Sequence, residues 1–263
     1  MLWKGTIGMT QGLIIKNLSL YHKYEKMTLV NNVSLSIAPS EIVAVVGASG
    51  SGKSLLAHSI LHLLPEEIEQ NCEMLWNGET VNQHNIPQLR GKKIALIPQT
   101  IDALDPFLKV GKYLLTLMKG KNKQHRLHKI WSSLGLDIDW LAYFPFELSG
   151  GMARRVLIAS ALVQNPNLIL ADEPTPGVDA DTLSGVLAPF NQMKQEGKSV
   201  LFITHDFFAA LKVADRIAVM DNGEIIEVSP VSFFAGDGEK LKHTYTKALW
   251  QALPQNCFVN NWR

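Results

Sequence analysis

A glycine-rich segment at residues 47–54, GASGSGKS, is the feature that most constrains the fold of this chain. It follows a short apolar run, EIVAVVG at 41–47, and precedes KSLLAHSILHLL at 53–64, where apolar residues recur at helical spacing. Glycines let backbone N–H groups wrap around a phosphate, while the terminal lysine and hydroxyl reach the outer phosphates and a magnesium ion. A strand, a phosphate loop and a helix are therefore predicted in that order.

The loop supplies the first set of candidate site residues. The predicted nucleotide-binding residues are Gly47, Ser49, Gly50, Ser51, Gly52, Lys53 and Ser54. Lys53 is expected to contact the outer phosphates, and the hydroxyl of Ser54 is expected to bind Mg²⁺. The alternative is a plain Gly/Ser turn without a ligand, which the flanking strand and helix argue against.

Strand-like and helical patterns divide the chain into regions. Residues 12–37 read as β-structure, residues 100–165 read as helical, and apolar strand patterns resume at 167–174, 199–205 and 216–220. Alternating strands and helices predict an α/β fold with a largely parallel sheet, an N-terminal antiparallel β region and an inserted α-helical subdomain. The predicted division of this single domain, 1–263, is a nucleotide-binding core at 1–99 and 166–229, a helical subdomain at 100–165 and a short tail at 230–263.

Composition bounds the class of protein. The 263 residues carry a net charge of +1, which argues against a dedicated nucleic-acid binder. Two cysteines, Cys72 and Cys257, form neither a disulfide framework nor a zinc pattern, so a reducing cytosol is expected. The chain has no apolar run of about 20 residues, which a membrane helix needs, and no signal-peptide pattern at its start. A soluble protein is expected, held at a membrane only through a partner.

Acidic residues end the next core strand, LILADEP. Asp172 and Glu173 stand at its carboxyl end, where ligands bind in parallel sheets. Asp172 is expected to hold Mg²⁺ directly or through water, and Glu173 to orient or deprotonate an attacking water. Acids also decorate helix N-termini, so this segment alone leaves both interpretations open, and the phosphate loop favours the catalytic one.

Two further polar residues follow core strands. His205 ends SVLFIT and precedes an aspartate; a neutral imidazole there could hydrogen-bond a γ-phosphate. Gln99 follows IALIP, and its amide could contact magnesium or water at the point where the chain enters the helical region. Taken singly, each residue is equally compatible with a structural role.

A second glycine pair stands at the start of a predicted helix, in ELSGGMARR at 147–155. Glycine is a poor helix former, so two at a helix start suggest that backbone N–H groups come close to an anion. The phosphate loop already provides an anion site in this chain. The pair therefore raises the question of which phosphate Ser149, Gly150 and Gly151 would meet.

Taken together, the order of these motifs identifies a family resemblance. GASGSGKS, IPQ, LSGGM, LILADEP, PGVD and ITHD resemble the ATP-binding cassette family, the ATPase subunits of ABC transporters, over nearly the whole chain. The resemblance implies an ATPase with a RecA-like core that works as a head-to-tail pair. It makes Gln99 the Q-loop residue, Asp179 the D-loop aspartate and His205 the switch histidine. It also places Ser149–Gly151 against the ATP of the partner.

The resemblance implies an aromatic residue that stacks on adenine ahead of the phosphate loop. Counting back from VSLSI, Tyr24 fits best and Tyr21 is the alternative. The D-loop reads TPGVD, where T-x-A-L-D is usual in the family. Pro176 and Gly177 are expected to alter the stiffness of that loop while leaving Asp179 in place.

A finer resemblance concerns the branch of the family. GSGKSLLAHSILHLLP, DALDP and YFPFELSGGMARR are similar to the peptide/nickel importers, in which a methionine commonly follows LSGG. Peptide-importing members commonly carry a C-terminal cysteine cluster, whereas only Cys257 stands near the end here, so nickel or another metal chelate is favoured. The resemblance implies ATP and Mg²⁺ as cofactors and a position on the cytoplasmic face of the membrane. Its partners would be a second ATPase chain (paralogue or self), two permeases and, indirectly, a solute-binding protein.

Other assignments stay open at the level of sequence. A soluble ABC ATPase of DNA repair or translation and a non-hydrolysing regulatory cassette are the alternative functions. Four apolar residues in the helical region could line a groove for a membrane subunit or pack inside the subdomain. They are Leu104, Phe107, Leu108 and Val110.

Overall fold

A computed structural model of the chain describes residues 11–175 and 180–253. The strands are β1 (Leu13–His22), β2 (Met27–Ile37), β3 (Ile42–Val46), β4 (Ile68–Trp76), β5 (Glu79–Thr80), β6 (Ile94–Ile97), β7 (Leu168–Asp172), β8 (Ser199–Thr204), β9 (Arg216–Asp221) and β10 (Glu224–Pro230). The α-helices are α1 (Lys53–Ile60), α2 (Ile86–Leu89), α3 (Val110–Leu117), α4 (Lys123–Ser133), α5 (Gly150–Leu162), α6 (Ala180–Gln195), α7 (Phe207–Val213) and α8 (Thr244–Gln251). Across these two stretches, no helix is long and apolar enough to span a bilayer.

The N-terminal strands form an antiparallel sheet with the order β2-β1-β4-β5. Strands β4 and β5 form a hairpin across Asn77 and Gly78, whose φ angles are 50° and 83°. Two consecutive residues with positive φ suit the tight turns that match the twist of a hairpin.

The second sheet has the order β10-β9-β3-β8-β7-β6. All neighbours in it are parallel except β9 and β10, which pair antiparallel at the edge. The predicted α/β class, with an antiparallel β region beside a parallel core, is thereby confirmed. The carboxyl ends of β3, β6, β7 and β8 lie along one edge of this sheet, where ligands bind in such folds.

Strand β3 separates two hydrophobic cores, which explains why every residue in it is apolar and buried. Ala44 and Val46 face a core shared with helices of the helical region and with α6 and α7. Val43 and Val45 face a core shared with α1 and the antiparallel sheet. Because both faces of the strand are covered, the sequence shows a continuous apolar run and not an alternating one. The phosphate loop therefore leaves the sheet from its most buried part.

Helix α1 is shorter than its sequence pattern predicts. The apolar spacing extends to residue 64, whereas the helix ends at Ile60. The backbone turns out of the helix at His62, whose φ angle is 49°, and the N–H groups of His62 and Leu63 donate back to the carbonyls of Ser59 at 3.0 Å and His58 at 2.9 Å. The side chain of Arg90 then donates from Nε to the Leu61 carbonyl at 2.7 Å and from Nη2 to the His62 carbonyl at 2.8 Å. A residue far along the chain thus satisfies the carbonyls that a helix end leaves free.

The helical region resolves one choice that the sequence left open. Leu104 and Val110 are buried in the core, so both pack inside the region. Leu108 is half-buried, whereas Phe107 is 87% exposed. Of the four candidates for a surface groove, Phe107 is the residue that presents a large apolar side chain to the outside.

The segment after β10 is fastened to the core by a buried carboxylate. Glu227 accepts hydrogen bonds from the backbone N–H of Lys242 at 2.9 Å and of His243 at 3.0 Å, just ahead of α8. On the other side of that helix, the Trp250 ring lies 6.2 Å from Phe207 and 6.0 Å from Phe234 between ring centroids. The segment predicted as a short tail thus contains a helix that packs on the core, while residues 254–263 lie outside the described part of the chain.

Candidate functional site

The loop between β3 and α1 needs glycine at several positions. Gly50 and Gly52 have φ angles of 80° and 100°, in the left-handed region that favours glycine. A Cβ atom on Gly47 would lie 2.1 Å from the carbonyl oxygen of Met220 on β9. The glycines therefore allow both the turn of the loop and its close approach to the sheet.

Lys53 opens α1 and lies across the loop. Its Nζ donates to the carbonyls of Gly47 at 3.0 Å and Ala48 at 2.8 Å. Burial lowers the pKa of Lys53, while the carboxylates of Glu173 and Asp172 act to raise it. The ammonium is thus held within the curve of the loop, with negative charge on its other side.

Asp172 ends β7 beside the loop and is almost completely buried. The hydroxyl of Ser54 donates to its Oδ1 at 3.0 Å. Burial raises the pKa of Asp172; the hydrogen bond from Ser54 opposes this shift, and the carboxylate of Glu173 adds to it. Hydroxyl and carboxylate oxygens at this spacing are ligands that suit Mg²⁺. A bound cation would also offset the cost of burying the negative charge of the carboxylate.

Glu173 has an unusual backbone conformation. Its φ angle is 49°, a left-handed value that side chains other than glycine and asparagine rarely adopt, and its N–H donates to the Ile203 carbonyl on β8 at 2.9 Å. Such a conformation costs on the order of 1 kcal/mol or more and persists where the surroundings impose it. It turns the side chain from the end of β7 toward the end of β8.

His205 meets that side chain. Its Nδ1 lies 2.8 Å from Oε2 of Glu173, a close polar contact whose angles fall outside those of a hydrogen bond. The Glu173 side chain is 9% exposed and the His205 side chain 62% exposed. The backbone around His205 is fixed on its C-terminal side, because the Asp206 side chain caps α7 through the N–H groups of Phe208 and Ala209.

Gln99 follows β6 by two residues, and its side chain is exposed. Its carbonyl accepts a hydrogen bond from Nη1 of Arg154 at 2.7 Å. The sequence assigns no role to Arg154, which is one of two adjacent arginines in ELSGGMARR. No periodicity or motif could have revealed this contact, because it joins residues 55 positions apart.

The second glycine pair forms the first turn of α5. Ser149 is the N-cap, and its Oγ accepts from the backbone N–H of Met152 at 3.3 Å. Gly150 and Gly151 are exposed, and a Cβ atom on either would meet nothing within 4 Å among the described residues. Unlike Gly47, Gly50 and Gly52, this pair is therefore not required by packing or by positive φ in the described part of the chain.

Sequence comparison decides the family. The profile of the ABC transporter family matches residues 30–176, a span that runs from β2 past Asp172 and Glu173. The chain belongs to the ATP-binding cassette family of transporter ATPases. As an ABC ATPase it binds and hydrolyses ATP.

Curated relatives match this ABC ATPase along most of their length. The metal-staphylopine import system ATP-binding protein CntD of Staphylococcus aureus is 34% identical over 251 residues, covering 90% of this chain and 91% of CntD. The oligopeptide transport ATP-binding protein OppD of Bacillus subtilis is 32% identical over 265 residues, covering 94% of this chain and 73% of OppD. These similarities are consistent with the importer branch that the sequence motifs resemble.

Solved structures confirm the cassette fold. The dimeric structure of MJ0796, a bacterial ABC transporter cassette, matches with a TM-score of 0.75 and 27% identity over 83% of this chain and 98% of that one. Another dimeric structure of MJ0796 is a post-hydrolysis state bound to ADP and Pi.

The two tyrosines considered for adenine stacking lie on opposite faces of the β1–β2 hairpin. Leu20 pairs with Val30, and a methyl of Val30 would lie 3.1 Å from a Cβ atom on Gly52, so this face adjoins the phosphate loop. His22 shares that face because alternate residues of a strand point the same way, and the Tyr24 ring lies 6.3 Å from the His22 ring. Tyr21 points to the other face.

Exposure also separates these tyrosines. Tyr24 is 79% exposed, whereas Tyr21 is 38% exposed and lines a cavity with His62 and Glu69. Tyr24 stays the predicted stacking residue, with Tyr21 as the alternative. The remaining site residue of this ABC ATPase, Asp179, lies outside the described residues and stays a prediction.

Proposed function

We propose that this ABC ATPase is the nucleotide-binding subunit of a membrane importer and works in a head-to-tail pair. Each ATP is bound by the phosphate loop of one chain and by Ser149, Gly150 and Gly151 of the other. The observation that carries the proposal is the pair of exposed glycines at the N-terminus of α5, which nothing in the described part of the chain requires. A helix N-terminus without side chains lets backbone N–H groups approach a phosphate that comes from outside the chain.

The other phosphate contacts come from the chain that holds the nucleotide. Lys53 binds the β- and γ-phosphates from within the loop curve, where its ammonium already lies among backbone groups. Ser54, Asp172 and Gln99 are the candidate ligands of Mg²⁺, with the carboxylate as the strongest of them. When bound, Mg²⁺ neutralises charge on the phosphate oxygens of ATP.

Glu173 and His205 are the candidate catalytic pair. Glu173 orients the attacking water and accepts its proton, while the exposed imidazole of His205 contacts the γ-phosphate. Their 2.8 Å contact would hold the histidine beside the base during the reaction. Asp179 and Tyr24 complete the proposed site, as the D-loop residue and the adenine-stacking ring.

Coupling to transport requires contact with membrane subunits. Phe107 is the candidate docking residue, because it presents an 87% exposed aromatic ring on the helical region. Ile101, 42% exposed, is a second exposed apolar residue of the same region. Two permeases and a second ATPase, paralogue or self, are the proposed partners, with the assembly at the cytoplasmic face of the membrane.

A metal chelate is the proposed cargo, with oligopeptide as the alternative within the same branch. Support comes from CntD, a metal-staphylopine importer subunit that this chain matches over 91% of its length. OppD, an oligopeptide importer subunit, is matched over 73% of its length. Cargo specificity resides in other subunits of such systems, so the choice needs a transport measurement.

The test is uptake by a strain from which the reading frame is deleted. Accumulation of nickel or zinc supplied with a chelator is measured beside accumulation of a labelled oligopeptide. The proposal predicts loss of metal uptake, restoration by the wild-type chain and no restoration by Lys53→Ala. Unchanged uptake of both cargoes together with co-purification of ribosomes or DNA would instead support a non-transport ATPase.

A further inference from the structure

Arg154 joins two parts of the chain that carry predicted site residues. Its Nη1 donates to the carbonyl of Gln99 at 2.7 Å and to the carbonyl of Pro98 at 3.4 Å. Arg154 belongs to α5, whereas Pro98 and Gln99 follow β6 at the edge of the parallel sheet. Hydrogen bonds from a charged donor are about twice as strong as neutral ones, so this is a firm tie between the two segments.

Arg154 stands close to the second glycine pair on the same helix. It is three residues after Gly151, a spacing that places two residues on neighbouring positions of one helical face. Ala153 and Val156, on either side of the two arginines, are fully buried and fix this part of α5 against the core. Arg154 therefore projects from an anchored stretch of helix that begins directly after the glycine pair.

The hydrogen bonds to Pro98 and Gln99 put the Arg154 guanidinium at the carboxyl edge of the sheet, the edge that also carries Glu173, the candidate catalytic base. Burial lowers the pKa of Arg154, and the carboxylate of Glu173 acts to raise it. Arg155, the next residue, behaves differently: its guanidinium lies 4.9 Å from the centre of the Trp140 ring, inside the helical region. Only the first of the two arginines faces the carboxyl edge of the sheet.

We propose that Arg154 is a positioning residue for ATP hydrolysis. It fixes the position of the Gln99 backbone relative to the Ser149–Gly151 turn. The contact of Gln99 with the chain's own ATP and the contact of the turn with the partner's ATP therefore change together. Its hydrogen bonds go to main-chain carbonyls and not to a ligand, and for that reason it positions and does not react. The proposal rests on the proposed function, because it assigns Gln99 and the Ser149–Gly151 turn to two different nucleotides.

The experiment compares three variants with the wild-type chain. Arg154→Met removes the charge and the donors at similar length, and Arg154→Lys keeps the charge and one donor. Arg126→Met is the matched control, because Nη1 of Arg126 also donates to a backbone carbonyl, that of Lys119 at 2.7 Å, on the exposed surface of the helical region. Two measurements are made: amide hydrogen exchange in the full-length chain without nucleotide, and steady-state ATP hydrolysis by the complex purified with its partner subunits.

Arg154→Met is expected to raise exchange in residues 99–104 and leave exchange in α1 and in the buried part of α5 unchanged. It should lower kcat about tenfold, the effect of losing a hydrogen bond from a charged donor, while KM for ATP stays within about twofold. Arg154→Lys should restore part of kcat. Arg126→Met should match the wild-type chain in kcat and in exchange at residues 99–104.

Two outcomes would overturn the proposal. The first is wild-type exchange and wild-type kcat in Arg154→Met. The second is raised exchange throughout α5 with kcat and KM changed together, which would make Arg154 a stabilising residue of the helix only. Failure of the proposed function is distinguishable, because it would appear as unchanged uptake of both cargoes by the deletion strain, whereas the exchange measurement on Arg154 requires neither transport nor turnover.

Discussion

Oε2 of Glu173 and Nδ1 of His205 lie 2.8 Å apart at the ends of neighbouring strands β7 and β8. The carboxylate is buried and the imidazole is largely exposed, so the histidine is the part of the pair that an incoming ligand can reach. The left-handed backbone of Glu173 is what brings the two side chains together. A strained backbone residue thus places a carboxylate beside an exposed imidazole, an arrangement that suits activation of a water molecule.

The first prediction concerns that base. Glu173→Gln keeps the size and the N–H contact to Ile203 but removes the proton acceptor, so turnover should fall by about two to four orders of magnitude. ATP binding should persist, and the bound ATP should trap the closed pair. ATPase assays and light scattering with ATP check both effects; unchanged turnover would remove Glu173 from the role assigned to it.

A second prediction follows from the burial of Asp172. Burial raises the pKa of Asp172 in the folded chain, so the folded chain holds a proton on this carboxyl more tightly than the unfolded chain does. As the pH rises through the folded-state pKa, the carboxyl becomes charged and the stability of the nucleotide-free chain falls. Asp172→Asn should therefore raise the melting temperature at pH 7 without ligand, since its amide oxygen can still accept from Ser54.

The same variant should lose the benefit of the metal. Added Mg²⁺ and ATP should stabilise the wild-type chain clearly and Asp172→Asn only weakly, as measured by the shift of the melting temperature. A lower melting temperature of Asp172→Asn without ligand, or an equal Mg²⁺-dependent shift in both proteins, would contradict the assignment of Asp172 as the metal ligand.

The parts of the site that the sequence predicted share one property. Each of these residues stands at or after the carboxyl end of an apolar strand of the same sheet. Identifying the strands in the sequence is therefore enough to place Lys53, Asp172 and His205 at one edge. The sequence could not predict the hydrogen bond between Arg154 and Gln99 or the left-handed backbone of Glu173. They depend on how the helical region lies against the sheet and on a backbone angle, neither of which leaves a periodic trace.

Helix α1 illustrates the same limit for the fold. Its apolar spacing continues to residue 64, and the sequence predicts a helix of that length. The helix stops at Ile60, because the backbone turns at His62 with a φ angle of 49°, and Arg90, from a distant segment, donates to the Leu61 and His62 carbonyls. The apolar pattern thus predicts the helix and its start but not the residue at which it ends.

The third prediction concerns the buried carboxylate that fastens the tail. Burial alone would raise the pKa of Glu227, but hydrogen bonds from the N–H groups of Lys242 and His243 and from the Ser229 hydroxyl outweigh it and lower the pKa. A depressed folded-state pKa contributes stability that is complete above the unfolded value of about 4.3 and is lost as pH falls through the folded value.

Glu227→Gln should remove this contribution. The free energy of unfolding should fall by about 2 kcal/mol at pH 7, because an amide cannot replace both accepting oxygens of the carboxylate. The difference from the wild-type chain should shrink as pH falls below about 4. Urea titrations across this pH range check it; a difference that does not change with pH would show that the charge of Glu227 contributes nothing.

A fourth prediction tests the exposed ring of Phe107 as a docking residue. Phe107→Ser should leave the melting temperature of the isolated chain unchanged, since the ring makes little contact with the rest of the chain. Co-purification with the permeases should be weakened. Ile138→Ser is the control, because Ile138 is also exposed, at 52%, in the same helical region. Equal loss of co-purification in both variants would show that replacing any exposed apolar side chain of the helical region has this effect, and that Phe107 is not a specific docking residue.

The central claim, that the first turn of α5 binds a phosphate held by another chain, is tested most directly by placing a negative charge there. Gly151→Asp meets open space and adds an acid at a helix N-terminus, so the fold should keep its stability or gain about 0.5 kcal/mol. Gly185→Asp in α6 is the matched control, since Gly185 is also exposed with open space around its Cβ position.

The measurement is ATP turnover of the purified assembly containing each variant. The account predicts that Gly151→Asp loses turnover by about a hundredfold or more while the isolated chain still binds ATP, and that Gly185→Asp retains turnover. Wild-type turnover in Gly151→Asp, or an equal loss in both variants, would contradict it.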